Sequence, residues 1–168
     1  MNAKILVILS VLLIALAFGC LGVSNETETY DKLHALEQKY FVTQNYSSNL
    51  ASMNDYINEL VQLKSKTTGA SGKVIEAEIY SAQTFYYLQK ALVDSTAIDY
   101  QNILCSSSEV KATYASAKLA KSSSKNAINS LSGLSDKEKL NLRENQLSFV
   151  NGYIVQIDQI IKFFDDEC

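Results

Sequence analysis

The sequence contains no proline and no tryptophan, and only 6 of its 168 residues are glycine. Proline interrupts helices because it lacks a backbone N–H and its ring clashes with the preceding turn, so its absence permits long helices throughout the chain. No stretch alternates apolar and polar residues for long enough to predict a strand. These absences together predict an all-α fold.

Histidine is almost absent: His34 is the only one, which excludes a metal site built from several imidazoles. The Glu-x-x-His pairs of di-iron bundles, the C-x-x-C-H sequence that attaches haem and the glycine-rich phosphate loops are missing as well. Asp31 and His34 are spaced to share one helix face, but a single such pair indicates a histidine that faces solvent or lies at the edge of the core. We therefore expect no catalytic residue, no metal ligand and no cofactor, and a protein that is not an enzyme.

Clusters of basic residues are also absent. The formal net charge is −3, and no basic block exceeds two cations. Proteins that bind nucleic acids use clustered Lys and Arg side chains to neutralise phosphates, so we expect no nucleic-acid partner. The length is sufficient for one domain with its own core.

The sequence does contain one long apolar run, at its start. Lys4 precedes residues 5–18, of which a single serine is polar, and small residues follow. This is the order of a secretion signal. Because basic residues stay on the cytoplasmic side and acidic residues follow the run, we expect the remaining chain outside the cell. We predict a signal peptide or signal anchor at 1–23, a polar spacer at 24–29 and an extracytoplasmic helical domain at 30–168.

The four residues Ala17-Phe18-Gly19-Cys20 resemble the lipobox of bacterial and some archaeal lipoproteins. The resemblance implies lipid attachment at Cys20, although Phe18 is bulkier than the residue usual in that family. A second interpretation keeps the run from Ile5 to Val23, about 19 residues, as an uncleaved transmembrane helix in which Cys20 is a packing residue. A third interpretation releases the domain after signal cleavage. We expect a cell-membrane location, with the N-terminus cytoplasmic or cleaved.

Apolar residues recur at helical spacing over four segments, at about 30–65, 70–104, 107–132 and 136–166. The last has the clearest stripe, formed by Leu147, Val150, Ile154, Ile157, Ile161 and Phe164. S-x-x-E capping boxes at Ser106–Glu109 and Ser135–Glu138 predict where the third and fourth helices begin. A polar stretch at 43–49 predicts a kink or a short break in the first helix. Short connections between these helices predict an up-down-up-down four-helix bundle after the N-terminal hydrophobic helix.

Cys105 and Cys168 are candidates for a disulfide. In the predicted bundle the second helix ends at the pole where the fourth ends and the first begins, so both cysteines are expected at the membrane-proximal pole. A bridge that closes some 60 residues would stabilise the fold by about 4 kcal/mol in the chain-entropy model. Two free thiols are the alternative. Lipidation or removal of Cys20 would leave an even number of thiols, which favours pairing.

Two further patterns concern modification and binding. Asn25 and Asn45 each begin an N-x-[ST] triplet, the acceptor pattern for N-glycosylation. A set of aromatic residues could line a ligand cleft between helices, or fill the core with hydroxyls that reach the surface; the set comprises Tyr80, Phe85, Tyr86, Tyr87 and Tyr100.

Two hypotheses of function follow. The first is a non-enzymatic, membrane-anchored cell-surface helical protein that binds another envelope protein or has a structural role. The second is an extracytoplasmic domain that binds a small ligand, similar in architecture to the sensor modules of chemoreceptors. A ligand that raises the thermal stability would favour the second hypothesis, because a ligand bound to the folded state stabilises it by mass action.

Overall fold

The computed structural model describes residues 26–43, 49–143 and 145–168, without the side chains of residues 42 and 43. These residues form six α-helices and no strand, so the predicted all-α class is confirmed. The helices are α1 (Glu26–Glu37), α2 (Leu50–Ser65), α3 (Gly69–Ser95), α4 (Ser108–Ser132), α5 (Asp136–Lys139) and α6 (Gln146–Glu167); α1 continues as a π-helical segment, Gln38–Thr43.

The first predicted helix is two antiparallel helices. The Lys39 Nζ atom lies 2.6 Å from Glu59 Oε1, and the rings of Tyr40 and Tyr56 are 5.3 Å apart. Helix α2 begins after Asn49, whose side chain accepts a hydrogen bond from the amide of residue 51 at 2.9 Å, as an N-cap residue does. The break predicted at 43–49 falls mostly on residues 44–48, which lie outside the described residues.

The fourth predicted helix begins as expected but stops early. The Ser135–Glu138 capping box is present, with the Ser135 amide donating to Glu138 Oε2 at 2.6 Å and the Glu138 amide donating to Ser135 Oγ at 3.3 Å. It caps only the short helix α5. Helix α6 begins after Asn145, whose backbone is left-handed with φ 61°, a conformation that asparagine adopts more readily than most residues.

The other capping box is shifted by one residue. Ser107, rather than Ser106, caps α4, and its Oγ accepts from the Val110 amide at 3.2 Å. The second predicted helix ends at Ser95 instead of residue 104. Asp99 accepts a hydrogen bond from the amide of residue 101 at 3.0 Å, and this local turn competes with continuation of the helix.

Two hydrophobic cores lie along α3. The larger core combines α1, α2, the first half of α3, the end of α4 and the start of α6; its buried side chains are Leu33, Tyr40, Met53, Tyr56, Ile57, Leu60, Val74, Ile75, Ala77, Ile79, Ala82, Ala127, Leu131, Leu134 and Val150. The smaller core combines the second half of α3, the first half of α4 and the second half of α6; its buried side chains are Leu88, Ala91, Ala117, Ala120, Ile157 and Ile161. The alanines let these three helices approach closely.

Cys105 and Cys168 form a disulfide, with their Cα atoms 5.6 Å apart and 63 residues of sequence separation. The two cysteines were predicted at the pole where the first helix begins. This prediction is wrong, because α1 begins near the start of α3 and the disulfide lies near its end. The Glu26 carboxylate lies 4.0 Å from where a β-carbon would stand at Gly69, the first residue of α3. The disulfide lies beyond the other end of α3, which is about 40 Å long. The antiparallel pairing of α1 and α2 reverses the end at which the domain begins.

The N-terminal residues 1–25, with the predicted signal or anchor, lie outside the described part of the chain. Within the described ranges, no helix has both the length and the apolar character required to cross a membrane.

Candidate ligand-binding cleft

A fully buried carboxylate, that of Glu78, lies within α3. Taking such a charge out of water costs several kcal/mol unless hydrogen-bond partners replace the water. Tyr56 Oη and Arg143 Nη2 donate to its Oε1 atom at 2.8 Å and 3.0 Å. Gln146 Nε2 donates to the Oε2 atom. Glu78 therefore joins α2, α3 and the segment at the start of α6.

Tyr56 supports this carboxylate from inside the larger core. Its side chain is fully buried, and its ring lies 5.3 Å from the rings of both Tyr40 and Phe41. Burial raises the pKa of the Tyr56 phenol well above its ordinary value, and the negative charge of Glu78 raises it further. The hydroxyl therefore stays protonated and remains a donor to Glu78.

Arg143 reaches Glu78 from the connection between α5 and α6. Its guanidinium lies 3.9 Å from the ring centroid of Phe41, a distance at which a cation is attracted to an aromatic face. The Arg143 side chain is 35% exposed, whereas that of Glu78 is 0% exposed. The guanidinium thus neutralises the buried carboxylate, while the Arg143 side chain as a whole is only partly buried.

Gln146, the first residue of α6, is 5% exposed. A carboxylate can only accept hydrogen bonds, so the amide turns its Nε2 atom toward Glu78. The Oε1 atom is consequently directed away from the carboxylate; it is buried, and no described residue forms a hydrogen bond with it. An acceptor in this state costs roughly 1 to 3 kcal/mol relative to one that is satisfied.

An open cleft of about 250 Å³ lies beside this hydrogen-bond network. Helices α3 and α6 form its two walls, and the π-helical segment contributes one aromatic ring. The described residues that line it are Phe41, Ser81, Ala82, Phe85, Arg143, Gln146, Phe149, Val150 and Tyr153. Four of the nine are aromatic, and the rings of Phe85 and Tyr153 are 5.3 Å apart. We call this site the aromatic cleft.

A second acidic group, Glu37, lies close to the network. Burial raises the pKa of the Glu37 carboxyl, and the charge of Glu78 raises it further, whereas a hydrogen bond with His34 and the charge of Arg143 lower it. His34 Nδ1 lies 2.9 Å from Glu37 Oε2, whereas the buried Glu37 Oε1 has no hydrogen-bond partner in the described part of the chain. His34 is therefore hydrogen-bonded to Glu37 on its own helix.

The predicted pair of Asp31 and His34 does not form a site, since Asp31 is exposed and His34 contacts Glu37. Within the described ranges no group of three His, Cys, Asp or Glu side chains is arranged to hold a metal ion.

Three of the residues singled out in the sequence, Cys20, Asn25 and Asn45, lie outside the described residues. Cys105 and Cys168 are joined to each other at one end of the molecule and take no part in the aromatic cleft.

The predicted aromatic set does not form one cleft. Phe85 lines the aromatic cleft, whereas Tyr100 packs against Phe163 with ring centroids 5.7 Å apart. Tyr86 and Tyr87 contact each other, with ring centroids 5.1 Å apart. The four members on α3 point in different directions because each residue rotates the side chain by about 100°, and Tyr100 lies beyond the end of that helix.

Sequence reasoning missed Glu78, Arg143 and Gln146. One signal for Glu78 was present: it lies three residues after Ile75 and four after Val74, on the face of α3 that is otherwise buried. A charged residue on an apolar helix face indicates a buried partner. Arg143 and Gln146 had no comparable signal, because their positions depend on the turn between α5 and α6.

Comparison of the chain with protein-family models, curated proteins and solved structures finds no match.

Proposed function

We propose that this chain is a non-enzymatic binding protein, tethered to the outer face of the cell membrane, whose helical domain takes a small organic ligand in the aromatic cleft. The observation that carries the proposal is the cleft itself, where aromatic walls adjoin a buried network of polar side chains. Ligand sites typically combine an apolar lining with a few fixed polar groups. Here Glu78 fixes Arg143 and Gln146 before any ligand arrives.

The bonding of the acidic and basic groups supports a binding role over a catalytic one. Glu78 accepts hydrogen bonds from three side chains, so its carboxylate is committed to holding the fold. The Tyr56 phenol, with its raised pKa, is a poor proton donor to a substrate at neutral pH.

The sequence of residues 1–23, which resembles a signal peptide or anchor, is the support for the proposed tether. The position of Glu26 near the start of α3 adds a direction: a tethered domain would turn the disulfide end away from the membrane. In the arrangement that we propose, α2, α3, α4 and α6 alternate in direction as an up-down-up-down four-helix bundle, with α1 added beside α2. The two-residue connection between α2 and the cap of α3 supports this arrangement.

Ligand binding is tested by melting the full chain in detergent micelles, followed by far-UV circular dichroism, against a panel of small metabolites. A ligand of the folded state raises Tm, and a hundredfold excess over Kd stabilises by about 2.7 kcal/mol. Phe149→Ala removes one aromatic side chain, 56% exposed, from the cleft. The control Val155→Ala removes a side chain of similar exposure, 58%, that lies on the same helix outside the cleft. A shift that Phe149→Ala abolishes and Val155→Ala retains supports the proposal; no shift with any compound contradicts it.

The tether is tested by intact-mass spectrometry of the protein extracted from its native membrane. A mass that begins at Cys20 and includes lipid identifies a lipoprotein, and a mass that retains Met1 identifies a transmembrane anchor. Either result supports the tether. An unlipidated product shortened near residue 20 contradicts it and identifies a released protein.

A second candidate function, binding to another envelope protein, is favoured by apolar side chains at the disulfide end. Leu92, Val93, Tyr100 and Leu104 are all exposed there, and exposed apolar groups that lie together often mark contact sites between proteins. A photo-crosslinking residue placed at position 104 would form an adduct in intact membranes, whereas the same residue at Leu140, which is exposed beyond α5, would not. Equal crosslinking from both positions would contradict a specific contact.

A further inference from the structure

We propose that the aromatic cleft selects a neutral, planar aromatic molecule of one or two fused rings that carries an N–H or O–H donor, a class that includes indoles and phenols. This inference rests on the proposed function, because it names the class of ligand that the same site would take. Size, wall chemistry, charge and an unsatisfied acceptor each narrow the class.

The volume of the cleft sets the size of the ligand. It is about 250 Å³, whereas pockets for drug-sized molecules start at about 300 Å³ and an apolar cavity of about 150 Å³ holds one benzene ring. The space therefore fits one ring or two fused rings with a short substituent.

The walls of the cleft favour a flat ring. Phe41, Phe85, Phe149 and Tyr153 contribute aromatic surface from three segments of the chain. Aromatic rings attract one another in offset or edge-to-face arrangements by about 0.5 to 1.5 kcal/mol beyond the burial of their area. A flexible aliphatic ligand would gain the burial and lose this additional attraction.

The charges beside the cleft favour a neutral ligand. Among the described residues that line it, Arg143 is the cation, and its Nη2 atom is 3.0 Å from the carboxylate of Glu78. The carboxyl of Glu37 is near enough to interact with both charges. An anionic ligand that approached Arg143 would therefore also meet two acidic groups, and a cationic ligand would meet Arg143 itself.

The unsatisfied acceptor calls for a donor on the ligand. Gln146 lines the cleft, and its buried Oε1 atom has no hydrogen-bond partner among the residues that the structure describes. The bond between Gln146 Nε2 and Glu78 prevents the amide from turning over to satisfy Oε1. An N–H or O–H at the edge of a bound ring would complete the hydrogen bonding of this amide once the ring displaces the side chains that cover Oε1.

The test compares indole with benzothiophene, which has nearly the same shape and area but no N–H. Both are titrated into the full chain in detergent micelles, and Kd is obtained from the dependence of Tm on ligand concentration. We expect indole to bind and benzothiophene to bind about fivefold more weakly, the fold-change of one ordinary hydrogen bond. Phe149→Ala should weaken both, and Val155→Ala should weaken neither.

Each of the other outcomes contradicts one part of the proposed ligand class. Equal Kd values for indole and benzothiophene overturn the donor requirement. Indole-2-carboxylate binding more tightly than indole overturns the requirement for neutrality. If neither aromatic compound binds while an aliphatic metabolite raises Tm and needs Phe149, the aromatic class is wrong and the proposed function stands. If no compound of any class raises Tm, both fail.

Discussion

The larger core places a carboxylate at its centre, whereas the smaller core is built from alanine, leucine and isoleucine and lies toward the disulfide. In the larger core, Glu78 fixes the positions of side chains from three segments by directed hydrogen bonds. In the smaller core, close packing and a covalent link hold three helices together. Two partners of Glu78, Arg143 and Gln146, also line the aromatic cleft, so the polar group and the cleft lie side by side.

The largest expected effect comes from removing the polar centre. Glu78→Ala leaves the donors of Tyr56, Arg143 and Gln146 without their acceptor, and each buried donor left unpaired costs about 1 to 3 kcal/mol. The matched control is Glu76→Ala on the same helix, where a half-exposed carboxylate lies 3.5 Å from Lys64, an arrangement worth about 0 to 1 kcal/mol. Urea unfolding of both variants measures the difference. Equal losses would contradict a special role for Glu78.

The disulfide is expected to have the next largest effect, at the other end of the molecule. Replacing both Cys105 and Cys168 with serine removes a constraint on 63 residues of unfolded chain, and the expected loss is about 2 to 4 kcal/mol. Thermal unfolding measures it. Because the cleft lies elsewhere, ligand affinity should be unchanged at temperatures where the variant is folded; a large loss of affinity would show that the two ends are coupled.

Close packing in the smaller core can be tested with a larger side chain. Ala117→Leu forces a bulky group between helices that approach closely, and overpacking of this kind costs about 1 to 3 kcal/mol. Ala115→Leu, on the exposed face of the same helix, is the control and should change stability by less than about 0.5 kcal/mol. Similar values for both variants would mean that the smaller core has free space.

The smallest expected effect is a pH dependence of stability that comes from Glu37, beside the larger core. Burial, as the main cause, raises the pKa of Glu37 above its ordinary 4.5, so the folded state binds its proton more tightly than the unfolded chain does. The stabilisation from this carboxyl is complete below the unfolded pKa and is lost as the pH rises through the folded pKa. Wild type should therefore lose stability relative to Glu37→Gln as the pH rises above about 4.5.

Glu59→Gln provides a control of opposite sign for that experiment. Hydrogen bonds from Lys39, and then from Tyr40, lower the pKa of the Glu59 carboxyl. Its contribution is therefore present above the unfolded pKa and is lost as the pH falls. Urea unfolding across pH 4 to 7 (roughly the range in which carboxyl groups titrate) should give opposite slopes for the two variants. Parallel slopes would contradict the assigned environments.

The sequence predicted helices well and their arrangement less well. Absence of proline and the spacing from Val150 to Phe164 were enough to predict an all-α chain, and the Ser135–Glu138 box formed as expected. The spacing could not show that α5 stops after four residues, because the stripe of α6 begins independently after Asn145. The reversed start of the domain followed from one missed feature, the pairing of α1 with α2.

The aromatic cleft could be predicted only in part. Phe85 was identified as a possible lining residue, and an acidic residue on the buried face of α3 could have indicated Glu78. The positions of Arg143 and Gln146 depend on the left-handed turn at Asn145. The two residues are also 65 and 68 residues away from Glu78 in the sequence. No local pattern encodes contacts of that range.

Amide chemical shifts recorded during a titration with indole test the central claim most directly, because they show which end of the molecule receives the ligand. We predict changes at the cleft residues Ser81, Arg143, Gln146 and Phe149, and unchanged signals from Ala117 and Ala120 of the smaller core. Changes confined to the smaller core or the disulfide end, or no changes at saturating indole, would contradict it.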